Sequence, residues 1–182
     1  MSTKCLKGVL KILDRYALTG REKDRVANTK LMNETILFLY NNENWGMMRS
    51  VIQRALIRVL RRACDNNDAG IFLIVLGLGK KINLNKRDEY GDTILMMAVK
   101  KTHYYIAKIL LDSGACPDIF NFRGYTPLII AAFNEDVEIV ELLMKHGSNV
   151  SSKSYSGSTA ESFALWHRNH FIANMVRVEP KY

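Results

Sequence analysis

The sequence predicts an all-α solenoid: a row of stacked helix–turn–helix units joined by β-hairpin-like loops. Gly91-Asp92-Thr93-Ile94-Leu95, Gly124-Tyr125-Thr126-Pro127-Leu128 and Gly157-Ser158-Thr159-Ala160 stand 33 residues apart. The same step relates Ala98, Ala131 and Ala164, and pairs Ile106 with Ile139, Leu110 with Leu143 and Gly114 with Gly147. Within each step, apolar residues recur at helical spacing in two short segments. A period of this length marks units that bury their apolar faces only by stacking on neighbours. Roughly four to five units are expected, including a degenerate first one and a terminal cap.

Residues 1–32 read as a basic helix and linker. Lys4, Lys7, Lys11 and Arg15 fall on one helical side and Leu6, Val9, Leu10, Ile12 and Leu13 on another. Either this helix packs on the first repeat with its basic side in water, or it contacts an acidic protein, a nucleic acid or an anionic membrane surface.

Residues 33–90 carry degenerate units. Glu34-Thr35-Ile36-Leu37 echoes Asp92-Thr93-Ile94-Leu95, and Met47, Met48, Val51 and Ile52 fall near second-helix positions. That unit runs into Arg54–Leu60 without a hairpin signal. Arg62 to Asp68 then aligns with Ile130 to Asp136, and Ile71 to Leu76 supplies a second helix ending at Gly79. Gly79 to Gly91 is 12 residues where Gly114 to Gly124 is 10, so this loop holds a two-residue insertion. Arg54, Arg58, Arg61 and Arg62 lie opposite Leu56, Val59 and Leu60, as on a solvated helix face.

The unit at 91–123 pairs Asp92–Ala98 with Ile106–Leu111. In the unit at 124–156, Gly124 can take positive φ at the turn, Thr126 can cap the first helix, and Pro127 sits where its missing N–H is harmless. Leu128, Ala131 and Ala132 follow at helical spacing, Val137 to Leu143 form a second apolar side, and Gly147 suits the C′ position. At 157–182, Glu161 stands where the other units have leucine, as expected of a water-facing cap, and a second helix from Asn169 to Val178 would end before Pro180.

The run from Gly124 to Gly147 resembles an ankyrin repeat. The histidine that usually closes the family's Thr-Pro-Leu-His tetrapeptide is Met96 in one unit and Ile129 in the next. Apolar packing is expected to replace its hydrogen bond.

Composition fits a compact protein: 182 residues, 48% hydrophobic and 24% charged, can bury a sizeable core. The longest apolar run, Ile71 to Leu78, is too short for a membrane span, and lysines interrupt the opening residues where a secretory signal would be continuous. Cys5, Cys64 and Cys116 are odd in number and unpaired in spacing, which favours reduced thiols and an intracellular, cytoplasmic or nuclear home. The sequons at Asn33 and Asn149 are then without consequence. The net charge of +8 sits mainly in residues 1–30, with eight Lys or Arg against three acids.

No chemistry emerges. Gly77-Leu78-Gly79-Lys80-Lys81 lacks the gap and the hydroxyl residue of a phosphate loop. His167 and His170 have no companion ligands at metal spacing, and Ser, His and Asp occur without a nucleophile elbow. A non-enzymatic protein is expected, with no catalytic residue, cofactor or metal. Nucleic acid is disfavoured as a partner because no aromatic residues interleave with the helical arginines.

The resemblance implies a protein-binding scaffold, adaptor or inhibitor, similar to short viral and cellular ankyrin proteins of the NF-κB-inhibitor kind, and a monomer. Partners would meet the concave side at the hairpin tips Glu89, Tyr90, Asp92, Phe122, Arg123, Tyr125, Tyr155, Ser156 and Ser158. The first-helix ends Lys100, Lys101, Phe133, Asn134, Trp166 and His167 would join them. Tyr, Phe, Trp and Arg dominate that list, and these types dominate interface energetics; alternatively, Phe122 and Tyr125 pack against neighbouring repeats. A second functional reading is a targeting or regulatory subunit whose helix in residues 1–20 binds anionic membrane or nucleic acid while the repeats hold a protein.

Overall fold

The computed structural model describes residues 49–77 and 82–177. The basic segment 1–32, the echo at Glu34–Leu37, Met47, Met48 and the loop glycine Gly79 lie outside them. Eight helices and no strand are present among the described residues. These residues fall into two compact units that divide between Asn83 and Leu84.

The first unit pairs α1 (Arg49–Asp65) with α2 (Ala69–Gly77). Helix α1 runs 17 residues without a break. This is the stretch where no hairpin signal interrupts the sequence. Val59, Leu60, Ala63, Phe72 and Val75 are buried, Arg54 and Arg58 are exposed, and Arg61 and Arg62 are half-buried. Asp68 caps α2 by accepting the Ile71 N–H at 3.3 Å.

The second unit holds three regular repeats, α3 (Ile94–Lys100) with α4 (Tyr104–Asp112), α5 (Pro127–Phe133) with α6 (Val137–Lys145), and α7 (Ala160–Trp166) with α8 (His170–Met175). Helices α3, α5 and α7 pack in a row, and α4 packs on α6. Between them lie Leu95, Ala98, Ile106, Leu110, Leu128, Ala131, Ile139, Leu143 and Ala164, each at most 1% exposed. Alanine at 98, 131 and 164 lets the first helices come close. Met96 and Ile129, in the place of the family's histidine, are also at most 1% exposed.

In the three regular repeats each first helix starts on a threonine. Thr93, Thr126 and Thr159 accept N–H bonds from Met96, Ile129 and Ser162 at 3.3, 3.4 and 3.1 Å. Three of the second helices, α2, α6 and α8, start on an Asx cap: Asp68, Asp136 and Asn169. Their fellow at α4, His103, makes no side-chain cap bond. Helix α8 starts one residue later than the sequence pattern implied because Asn169 is its cap, and it ends at Met175.

Helices α3, α5 and α7 end in Schellman turns, as shown by Thr102 N–H to Val99 C=O and His103 N–H to Ala98 C=O. The left-handed residues of the turns between paired helices are not glycine but Asn67, Thr102, Glu135 and Arg168, with φ of 52°, 55°, 58° and 60°. Asn67 to Thr102 is 35 residues and the later steps are 33, so the two extra residues fall between α2 and α3. Helices α4 and α6 instead close on Gly114 and Gly147 in the left-handed region.

A β-branched residue at positive φ is strained, by roughly 1–2 kcal/mol against glycine. Thr102→Gly is therefore expected to stabilise the protein by about 1 kcal/mol, read as a raised urea midpoint at unchanged m-value. An unchanged or lowered midpoint would place the strain elsewhere.

Candidate functional site

Each hairpin is organised by one small polar residue at the same repeat position. Asp88 Oδ1 accepts the N–H groups of Tyr90 (2.9 Å) and Asp92 (2.8 Å). Asn121 Oδ1 accepts those of Arg123 and Tyr125, each at 3.0 Å. Ser154 Oγ accepts that of Ser158 at 3.1 Å. In each case the backbone N–H of the organiser donates across the hairpin, to Asp92, Tyr125 or Ser158 C=O. The tips are thereby held open in one conformation.

Consecutive hairpins are joined through their backbones. Phe122 N–H donates to Tyr90 C=O at 3.2 Å, and Tyr155 N–H donates to Arg123 C=O at 3.3 Å. One bond per junction makes the loops hairpin-like without forming a sheet. A Cβ on Gly91 would stand 2.7 Å from Phe122 N, and one on Gly124 would stand 2.6 Å from Tyr155 N. Both glycines also have φ near +80° (79° and 77°), so turn shape and close approach each require them. Two side-chain bonds repeat at the loop bases: Cys116 N–H to Asn85 Oδ1 at 2.9 Å and Asn149 N–H to Asp118 Oδ1 at 2.8 Å.

Hairpins and first-helix ends enclose an open groove of about 520 Å³. It brings together Glu89, Tyr90, Asp92, Lys100, Phe122, Arg123, Tyr125, Phe133 and Asn134 from the residues expected to bind, and adds Asn121, Ile129, Ile130 and Phe163. Trp166 and His167 adjoin the groove through Phe133, whose ring lies 6.5 Å from Trp166 in a stacked pair and 5.3 Å from His167 edge-on. Phe163 links Phe133 at 5.6 Å to Tyr125 at 5.8 Å. Lys101 is exposed at the end of α3, and Tyr155 is turned toward Phe120, 6.1 Å away. Ser156 and Ser158 belong to a chain of hydroxyls with Ser154, at 2.9 and 3.2 Å.

One expected contact residue is placed differently. Asp92 does not project into solvent; it is 4% exposed, accepts Asn121 Nδ2–H at 2.9 Å on Oδ1, and pairs with the Lys100 ammonium on Oδ2. A carboxylate at this position is needed by the neighbouring hairpin, because it satisfies a buried amide. Tyr125 is half-buried against Phe163, whereas Tyr90 (67%), Phe122 (61%) and Trp166 (71%) stay exposed. Phe163 was not anticipated. Its signal was its place three residues before Trp166, on the same side of α7.

One pair of perturbed charges lies off the groove. Lys108 Nζ donates to Asp112 Oδ2 at 2.7 Å, a bond that holds the Asp112 carboxyl below its ordinary value and raises Lys108. Among the described residues no three His, Cys, Asp or Glu side chains are grouped to hold a metal ion, and no helix is long and apolar enough to cross a membrane.

Comparison with known proteins agrees with the repeat geometry. The family description "Ankyrin repeats (3 copies)" matches residues 60–154. An ankyrin repeat protein of Fowlpox virus (strain NVSL) is 36% identical over 112 residues, covering 62% of this chain and 26% of that protein. An ankyrin repeat protein of Coxiella burnetii is 43% identical over 80 residues, covering 44% and 23%. The B-cell lymphoma 3 protein homolog of Mus musculus is 28% identical over 165 residues, covering 85% and 37%. The chain thus spans well under half the length of each of these relatives.

Asn121 makes three side-chain bonds where Ser154 makes fewer to the backbone, so their removal should differ. Asn121→Ala is expected to cost about 2–3 kcal/mol and Ser154→Ala about 1 kcal/mol in urea unfolding. Equal costs would deny Asn121 its role between hairpins.

Proposed function

The chain belongs to the ankyrin repeat family, and on that premise we propose that it is an adaptor or inhibitor that binds a partner protein through the groove beside its hairpins. Ankyrin repeats generally mediate protein–protein interaction and are generally not enzymes. The observation that carries the reading is the collection of exposed Tyr90, Phe122 and Trp166 with Arg123 along one edge of the stack. Contiguous exposed aromatic surface is uncommon on a protein without partners, and these residue types supply most interface energy. The hairpin bonds support the reading too, since they fix the tips before any partner arrives and so lower the ordering cost of binding. A free thiol at Cys116 fits an intracellular setting.

The test compares wild type with Tyr90→Ala/Phe122→Ala/Arg123→Ala/Trp166→Ala in quantitative capture of partners from cell extract, followed by titration of the purified partner. Loss of two or more strong anchors should weaken binding by about 100-fold or more, while the melting transition changes little. Full binding by the quadruple variant would move the partner to another surface.

A further inference from the structure

The groove changes character along the stack. Among the charged residues that line the groove, the first regular repeat contributes Glu89, Asp92 and Lys100; Asp92 and Lys100 are in direct contact and offset one another, and Glu89 is exposed at the hairpin tip. In the next repeat Arg123 is exposed and lines the groove, with no carboxylate paired to its guanidinium among the described residues. Glu135, the acid at that repeat's helix end, is held instead by the following repeat, with His167 Nδ1 and Asn169 Nδ2 each 3.5 Å away. From Arg123 onward the lining is mostly apolar, with the rings of Tyr125, Phe133 and Phe163 beside Ile129 and Ile130 and with Asn134 as its polar member, and Trp166 adjoins it by stacking on Phe133.

Anything that excludes water from this groove must meet two demands. It has to cover the rings with apolar surface, and it has to give Arg123 an acceptor, because a desolvated guanidinium without one is strongly unfavourable. A carboxylate matches the planar fork with two oxygens. A volume of about 520 Å³ receives a few side chains, not a broad domain face. Resting on the groove reading above, we propose that the occupant is a linear segment of a partner protein that presents Asp or Glu to Arg123 and a large apolar side chain to Phe133 and Trp166. Arg123 lies just before α5 and Phe133 ends it, and that helix rises about 9 Å from Pro127 to Phe133, so the two anchors should be separated by about three residues in an extended segment or about six in a helix.

The probe is a random 12-residue peptide library displayed on phage and selected against the full chain. Enriched peptides are then titrated against wild type, Arg123→Glu, and Phe133→Ala/Trp166→Ala. The expected pool carries an acid three to six residues from Leu, Ile, Met, Phe or Trp, and binding weakens at least about 10-fold in each variant. Exchanging the peptide's acid for Lys should restore affinity to Arg123→Glu and to no other form. A basic or uncharged pool indifferent to Arg123→Glu but lost with Phe133→Ala/Trp166→Ala would overturn the acidic anchor and leave the groove reading standing. Peptides indifferent to both variants would overturn the groove reading as well. A library that yields no enriched sequence would overturn the linear segment.

Discussion

The contact on which the regular repeats depend is the approach of each hairpin's backbone N–H to the turn of the hairpin before it. Only a glycine with positive φ permits it. Gly91 admits Phe122 N and Gly124 admits Tyr155 N into space a methyl group would occupy, while the site beside Gly157 is open to nothing within 4 Å. The ring carbons of Phe122 and Tyr155 also close over those glycines, so an aromatic side chain covers each junction it helps to form.

From that contact the proposed binding surface follows. A hairpin fixed to its neighbour and organised internally by Asp88, Asn121 or Ser154 holds its tip residues in set directions. Tyr90 and Arg123 both offer their carbonyls to the next repeat, which leaves their side chains to solvent and the groove. Asp92 shows the other side of the same arrangement: it holds the amide of Asn121, so its charge is committed to the fold. Aromatic residues at the helix ends then complete the groove through rings packed edge to face. Rigidity of the frame and variety of its exposed residues are separate properties here, and on the proposed reading the second sets partner choice.

The solenoid was legible because its requirements are local and repeat. Gly, Thr, Leu and Ala at fixed offsets name a turn, a cap and a close-packed helix, and the helices lie where those residues put them. Less legible were the left-handed turns at Asn67, Thr102, Glu135 and Arg168, which share a conformation and no side-chain chemistry. The geometry there is imposed by the packing of the two helices each turn joins. The organisers Asp88, Asn121 and Ser154 do recur at 33 residues, as do Asn85 and Asp118. They were hidden because three different residue types meet the same need for an oxygen acceptor. Asp92 was misplaced at the surface because a charged side chain at a tip reads as exposed until the amide it satisfies is visible. Phe163 lies inside α7 rather than at a hairpin tip or a first-helix end, and its half-buried ring lines the groove.

The two hairpin junctions build the groove in the free protein, before any partner of the proposed kind arrives. Amide hydrogen exchange of the free 182-residue chain, resolved at Phe122 and Tyr155, measures this directly. If the junctions are as described, both amides exchange as slowly as those in the middle of α5. Exchange at the rate of open loop amides would contradict it, and would mean that the tips are ordered only on binding.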